Sequence, residues 1–252
     1  MSTFTYLITG ASRSLGLGYA RQLLESGEHV RVVAGARNPD SAEDLRKLQK
    51  KVGEDRLYIL KLDVTDAAQV TESVKELESS GFLRDGALDC LINNAGVAQS
   101  TGKLPSDIVP DEVLDHLQTN LFGVMNVTSS YLPLLKKGKG KQIFGVSSTC
   151  GSIGGPFGEN SMATAYCISK VALNMYSRKL SRELEKDGFT VVVFHPGYVK
   201  TDMNDGKGDL TTEEAVRLAQ VSSAPPTDNI FLKLGKDENG SFWRYDGERM
   251  PW

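Results

Sequence analysis

The 252-residue sequence predicts a single-domain, doubly wound α/β fold with a mainly parallel central sheet and helices on both faces. Short apolar runs alternate with longer amphipathic segments, the runs are nearly continuous in apolar character, and the first leads into a glycine-rich turn that opens a helix. Parallel strands need a crossover, and the crossover helix buries a sheet face, so strands covered on both sides lose the polar alternation of half-exposed ones.

In chain order the strands are "FTYLIT" at 4–9, "HVRVVA" at 29–34, "RLYILKL" at 56–62, "LDCLIN" at 88–93, "KQIFGVS" at 141–147 and "FTVVVFH" at 189–195. They are rich in β-branched and aromatic residues and too short to be helices on their own. Helical patterns occupy about 14–26, 41–52, 66–80, 111–136 and 162–186. After His195 "PGYVKTDMNDGKGD" is turn-rich. "TTEEAVRLAQV" then restarts a helix, with Thr211 and Glu214 at capping-box spacing. "SSAPPTD" interrupts again, and a last strand is expected near 241–245. No repeat or low-complexity linker divides residues 1–252, so one domain is expected. Its region 198–228 reads either as a substrate loop over a pocket or as a surface excursion.

With 40% hydrophobic and 24% charged residues the chain can bury an ordinary core. A net charge of -3 supplies no general attraction for phosphate polymers or anionic membranes, which argues against nucleic-acid or membrane partners. The basic run "KKGKGK" at 136–141 reads as a wet turn. Cys90, Cys150 and Cys167 form an odd, widely spaced set without a C-x-x-C pair, and His29, His116 and His195 stand singly, so neither a disulfide framework nor a metal site is expected. No charged n-region followed by a long apolar stretch opens the sequence, and no apolar run approaches a membrane span. A soluble, cytoplasmic protein is the expectation.

"TGASRSLGLG" at 9–18 lies where a strand gives way to a helix, the place at which free N–H groups and glycines let backbone approach a pyrophosphate. That segment contributes Gly10, Ser12, Arg13, Ser14, Leu15 and Gly16 as candidate cofactor contacts. The second strand ends in "VVAGARNPD", with Arg37 and no carboxylate at the position that usually reads the ribose 2′-hydroxyl. Arg37, with Arg13 as a second cation, favours a 2′-phosphate and hence NADPH/NADP+ over NADH. "LDVTD" at 62–66 places Asp63 and Val64 at the third strand's end, Asp63 to accept from an adenine amino group. "INNAG" at 92–96 places Asn94, Ala95 and Gly96 at the fourth, where small side chains leave room for a ring. Asn, Asp and Gly also collect at such ends for turn conformation alone.

In "TAYCISK" Tyr166 and Lys170 stand four apart, on one face of a helix. A free phenol has a pKa near 10, and lowering it by about three units needs about 4 kcal/mol. An ammonium about 4 Å away at an effective dielectric of about 20 supplies roughly that amount. The alternative is a solvated helix surface.

The ordered series of glycine-rich loop, "LDV", "NNAG", "TNLFG", "SSTCG", "YCISK" and "PGYVKTD" resembles the short-chain dehydrogenase/reductase family over most of the chain. "AYCISKVALNM" and the tail "GSFWRYDGERMPW" look like its small carbonyl-reductase branch, which includes sniffer-type and C-factor-like proteins. The family's T-G-x-x-x-G-x-G maps to Thr9, Gly10, Ser14 and Gly16, so Ser14 departs from the middle glycine. The resemblance implies a Rossmann fold and a tetrad at Asn120, Ser148, Tyr166 and Lys170. Ser148 fits the family's S-x-x-G through Gly151, and Ser147 remains its competitor. The separation from Ser148 to Tyr166 exceeds the family's usual dozen or so residues, so the segment between must bulge.

The implied reaction is reduction of an aldehyde or ketone: hydride goes to the carbonyl carbon, Tyr166 gives the oxygen a proton, and Ser148 hydrogen-bonds that oxygen. Lys170 would also hold ribose hydroxyls, and Asn120 would orient water or backbone in a proton relay. "PGYVKTD" would contribute Pro196, Gly197, Val199 through its backbone, and Thr201 near the pyrophosphate. Ile153, Phe157, Met162, Tyr198 and Met203 read as an apolar pocket for a medium-sized carbonyl or as packing. A non-catalytic NADPH sensor, and an alcohol dehydrogenase or epimerase, are the rival readings. Helices 111–136 and 162–186 either pair subunits, as a homodimer or homotetramer, or simply cover the sheet.

Overall fold

The computed structural model describes residues 3–99, 102–218 and 234–252. Seven strands form one sheet in the order β3-β2-β1-β4-β5-β6-β7. They are β1 (Phe4–Thr9), β2 (Val30–Ala36), β3 (Leu57–Lys61), β4 (Cys90–Asn93), β5 (Gln142–Val146), β6 (Thr190–His195) and β7 (Phe242–Arg244). The helices are α1 (Ser14–Glu25), α2 (Glu43–Val52), α3 (Ala67–Ser79), α4 (Pro110–Leu117), α5 (Val124–Lys137), α6 (Thr164–Leu184) and α7 (Thr212–Leu218). This is a doubly wound α/β Rossmann-type fold. The chain groups into two compact units, Met1–Ala95 with Met125–Ile143, and Gly96–Val124 with Phe144–Trp252.

In the first unit β1 pairs in parallel with β2, from Phe4↔Val30 to Thr9↔Gly35, and with β4 through Tyr6↔Cys90. β2 pairs in parallel with β3, with Val32 opposite Leu57. Tyr6, Leu7, Ile8, Val32, Val33, Leu91 and Ile92 are completely buried, as runs of apolar residues covered on both faces must be. Asp89 is a buried carboxylate that accepts from the backbone N–H groups of Thr5 (2.9 Å), Lys139 (2.9 Å) and Gly140 (3.1 Å). Part of the basic run read as a wet turn is therefore packed backbone: a Cβ at Gly138 would sit 2.1 Å from the Leu88 carbonyl.

In the second unit β6 pairs in parallel with β7 from Val193↔Phe242 to His195↔Arg244, within the stretch expected from the sequence. α6 buries Ala165, Ser169, Lys170, Leu173, Asn174, Ser177, Leu180, Ser181 and Leu184, a helical stripe with an unusual share of polar groups. Those groups need partners inside the protein, and the site is built from them. The predicted helix 111–136 differs in one respect: α4 gives way to a π-turn at Gln118–Gly123 before α5 begins. α7 opens on the expected capping box, Thr211 N donating to Glu214 Oε2 (2.8 Å) and Glu214 N to Thr211 Oγ1 (3.1 Å). The "SSAPPTD" interruption and most of the second half of region 198–228 lie outside the described residues. Among the described residues no helix is long and apolar enough to cross a membrane.

Candidate active site

In the first unit the turn after β1 is held by its neighbours. Thr9 Oγ1 accepts from the N–H groups of Asn94 and Ala95, both at 3.0 Å. Asn94 Nδ2 donates to the carbonyls of Thr9 (2.9 Å) and Gly10 (3.2 Å). Gly10 has φ 64°, and a Cβ there would lie 3.0 Å from Ala95 Cα. A Cβ at Gly16 would come within 2.3 Å of the Gly10 carbonyl oxygen. Ser14, which replaces the expected glycine, is itself left-handed at φ 47°, so the departure changes the residue and keeps the bend. α1 starts from Arg13 with no side-chain cap. Its first N–H groups lack intrahelical partners and a helix N-terminus attracts anions, so this cradle fits a dinucleotide pyrophosphate. Ser12 and Leu15 flank it half-buried, and Arg13 is exposed.

Arg37 follows the last residue of β2 and is exposed. Asp63 follows β3, but its Oδ1 accepts from Thr65 N (3.0 Å) and Thr65 Oγ1 (2.7 Å), so half of its acceptor capacity closes its own turn. Val64 is buried, its carbonyl accepting from Asn126 Nδ2 at 3.1 Å.

The second unit brings Asn120, Ser148, Tyr166 and Lys170 together around α6. Asn120 is fully buried in the π-turn. Its Oδ1 accepts from Val97 N (2.9 Å), while Nδ2 donates to Val97 O (2.9 Å) and Ser169 Oγ (2.9 Å). Ser169 Oγ in turn donates to the Tyr166 carbonyl at 2.7 Å. Both Asn120 amide hydrogens are thus committed to protein acceptors, and Oδ1 keeps one lone pair beyond the Val97 N–H. The wider turn is the local price of aiming the side chain inward. Neither Ser169 nor His116 was legible as part of this set. His116 accepts from Gln99 N at Nε2 (3.0 Å) and its Nδ1 lies 2.7 Å from the Glu112 carbonyl, which fixes the proton on Nδ1. Its ring meets Tyr166 edge-on at 6.3 Å.

Ser148 stands at the head of a tight turn, where its Oγ accepts from Cys150 N (3.2 Å). Ser147 is occupied elsewhere: it donates to Asn174 Oδ1 (2.6 Å), and Asn174 Nδ2 donates to the Gly151 carbonyl (2.9 Å). Lys170 is buried, with Nζ donating to the Val146 carbonyl (2.8 Å) and lying 5.7 Å from the Tyr166 ring centroid. The charge balance differs from the sequence arithmetic. Burial raises the Tyr166 phenol above its ordinary value, with the Cys150 thiolate adding to the rise and the Ser148 hydroxyl opposing it. Burial also pushes the Lys170 ammonium down to about 8. The cation lies over the ring, 5.7 Å from its centroid, and is bonded to a carbonyl, so desolvation outweighs the attraction assumed for a 4 Å pair.

Around "PGYVKTD", Pro196 and Val199 are buried, and Gly197 has φ 96°, where a Cβ would meet Leu210 Cδ1 at 2.6 Å. The Val199 carbonyl accepts from Asn204 Nδ2 (2.8 Å), and Thr201 N donates to Asn204 Oδ1 (3.0 Å). Gly96, half-buried, precedes the Val97 clamp. Ile153, Phe157, Met162, Tyr198 and Met203 are all exposed, so none of the five serves as core packing. The segment between Ser148 and Tyr166 bulges outward over residues 153–162.

The family model described as short chain dehydrogenase matches residues 5–210. An uncharacterised oxidoreductase of Schizosaccharomyces pombe is 35% identical over 256 residues, covering 98% of this chain and 97% of the relative. The NADPH-bound carbonyl reductase from chicken fatty liver superposes with a TM-score of 0.86 at 30% identity, covering 100% of both chains. The carbonyl reductase Sniffer of Drosophila melanogaster superposes with a TM-score of 0.84 at 31% identity, covering 99% of this chain and 100% of that one.

Proposed function

Because the chain belongs to the short-chain dehydrogenase family, we propose that it is an NADPH-dependent oxidoreductase that reduces an aldehyde or ketone to an alcohol. The observation that carries this reading is the buried Lys170 ammonium, 5.7 Å from the centroid of the Tyr166 ring one turn back on α6. A phenol held above its ordinary value is protonated at neutral pH. It is therefore ready as an acid, the state a reduction needs.

Bound NADPH supplies the hydride. Tyr166 gives its proton to the substrate oxygen as negative charge develops there, and the Ser148 hydroxyl donates a hydrogen bond to the same atom. Lys170 keeps a positive charge under the ring, favouring the phenolate left after transfer. Asn120 positions α6 through Ser169 and pins the backbone of Val97. In the first unit the Gly10–Gly16 turn receives the pyrophosphate, Asn94 holds that turn in shape, and Arg37 and Arg13 favour a 2′-phosphate. Asp63 keeps one carboxylate oxygen for the adenine. In the second unit the Val199 N–H serves the carboxamide and Thr201 the phosphate side. The exposed apolar residues at 153–162 and 198–203 suit an apolar, medium-sized carbonyl.

The test is a panel of aliphatic, aromatic and quinone carbonyls followed by loss of NADPH absorbance. Stoichiometric consumption with at least one class supports the proposal. Tight NADPH binding with no consumption across the panel overturns it in favour of a sensor.

A further inference from the structure

Residues 248–252 return along β7 and reach the loop that follows Ser148, a contact the proposed reduction leaves unused. Arg244 N donates to Glu248 O and Met250 N to Phe242 O, both at 2.8 Å, and Trp243 bridges Arg249 in the antiparallel sense. β7 is itself paired to β6, so the return takes its position from the sheet. The chain then crosses to the loop: Ser152 Oγ donates to Pro251 O (2.8 Å) and Gly154 N to Trp252 O (3.4 Å). The Trp252 ring lies against Phe242, with centroids 5.7 Å apart and planes tilted by 31°, and Phe242 is buried in β7. Ser152 is 1% exposed, so its hydroxyl has given up water and depends on the Pro251 carbonyl.

The loop held in this way runs from Ser148 to Tyr166, so both of its ends are residues of the proposed acid site. Its middle carries Ile153, Phe157 and Met162, all exposed. Over 152–162 the chain makes short turns: Gly155 N donates to Ser152 O (3.3 Å), Gly158 N to Gly155 O (2.9 Å) and Met162 N to Asn160 Oδ1 (2.9 Å). Those bonds fold the loop upon itself. The bonds to Pro251 and Trp252 join it to the sheet edge.

We propose that Ser152, Pro251 and Trp252 form a strap that sets where the apolar loop 153–162 stands beside Tyr166, and so how tightly the site holds the apolar body of a carbonyl substrate. Ser152 and Trp252 are positioning residues, acting through the loop. The consequence for substrate rests on the reductase reading; the strap itself does not. Ser148 keeps its own fastening, since its Oγ accepts from Cys150 N and its carbonyl from Gly151 N (2.8 Å), and Tyr166 is carried by α6. Apolar contacts remote from the reacting carbonyl hold the ground state and the transition state alike, so loosening them raises KM and leaves kcat nearly unchanged.

The experiment compares the full-length protein with Ser152→Ala, Trp252→Ala and Trp252→Phe. Hydrogen exchange is followed first, by mass spectrometry. Peptides covering 153–162 should exchange roughly fivefold faster in the two alanine variants, the factor that one net hydrogen bond or aromatic contact carries. They should stay close to wild type in Trp252→Phe, which keeps a ring against Phe242, and peptides covering 9–16 should not change. Kinetics follow: KM for an apolar carbonyl consumed by the wild type should rise roughly fivefold in the alanine variants, with kcat and the NADPH dissociation constant within about twofold, and Trp252→Phe should recover most of the loss. Trp252 is 41% exposed, so its replacement keeps the test open should Ser152→Ala fail to fold. Unchanged exchange at 153–162 in Trp252→Ala would overturn the strap. Faster exchange with KM unchanged, or with kcat falling as far as KM rises, would overturn its role in holding substrate. A wild type that consumes no carbonyl would overturn the reductase reading and that role with it, while the exchange result still decides the strap.

Discussion

Tyr166→Phe removes one oxygen and keeps the ring. The edge contact with His116 and the Lys170 approach to the ring face both survive in phenylalanine. Ser148 Oγ still accepts from Cys150 N, so no buried polar atom is stranded there. The folding cost is at most that of one ordinary hydrogen bond, about 1 kcal/mol. The catalytic cost is larger. Removing a general acid that acts only as charge develops on the substrate oxygen forfeits about 10²–10⁴ in rate, or roughly 3–5 kcal/mol. The assay compares kcat for a carbonyl substrate with the NADPH dissociation constant from cofactor fluorescence. We expect kcat to drop at least a hundredfold with NADPH affinity within a few-fold of wild type. A kcat within tenfold of wild type would end the assignment of Tyr166 as proton donor.

The other predictions use different handles. Arg37→Asp replaces an exposed cation with a carboxylate at the end of β2, and the ratio of kcat/KM for NADPH over NADH should fall by at least about tenfold; an unchanged ratio removes Arg37 from cofactor choice. Ser14→Gly relieves a left-handed serine costing about 1–2 kcal/mol, less about 0.5–1 kcal/mol of added chain entropy, so the thermal midpoint should rise by a few degrees or less. A lowered midpoint would mean the Ser14 hydroxyl holds the turn by more than its strain costs. Lys170 carries its charge in a buried site, its pKa lowered from 10.5 to about 8. The folded value is the lower one, so the cost, about 3 kcal/mol, is fully present below pH 8 and is relieved as pH rises toward 10.5. Lys170→Met should therefore be inactive yet more stable than wild type at pH 7, even after about 1 kcal/mol lost at the Val146 carbonyl. That advantage should shrink between pH 8 and 10.5, and a less stable variant at pH 7 would contradict the buried-charge account.

Strand positions, most helix limits and the capping box at Thr211 were legible because they rest on local apolar runs and side-chain chemistry. The π-turn was not. One extra residue per turn leaves the apolar pattern of 111–136 intact, and its cause is tertiary: the Asn120 carboxamide bonded to Val97, 23 positions away. The choice between Ser147 and Ser148 stayed open for the same reason, since the competing demand on Ser147 comes from Asn174, 27 residues on. The direction of the Tyr166 shift was missed because a pairwise Coulomb sum contains no burial, and spacing along a helix says nothing about which atom an ammonium finally contacts. Asp63 showed the opposite case: its turn-closing role was readable in "DVT", and it competes with the cofactor role given to the same side chain.

Thr9 and Asn94 weld two strand ends to each other through four hydrogen bonds, so neither segment can be reshaped alone. Anyone retargeting the coenzyme should leave that floor untouched and edit the rim, where Arg37 is exposed just past the end of β2.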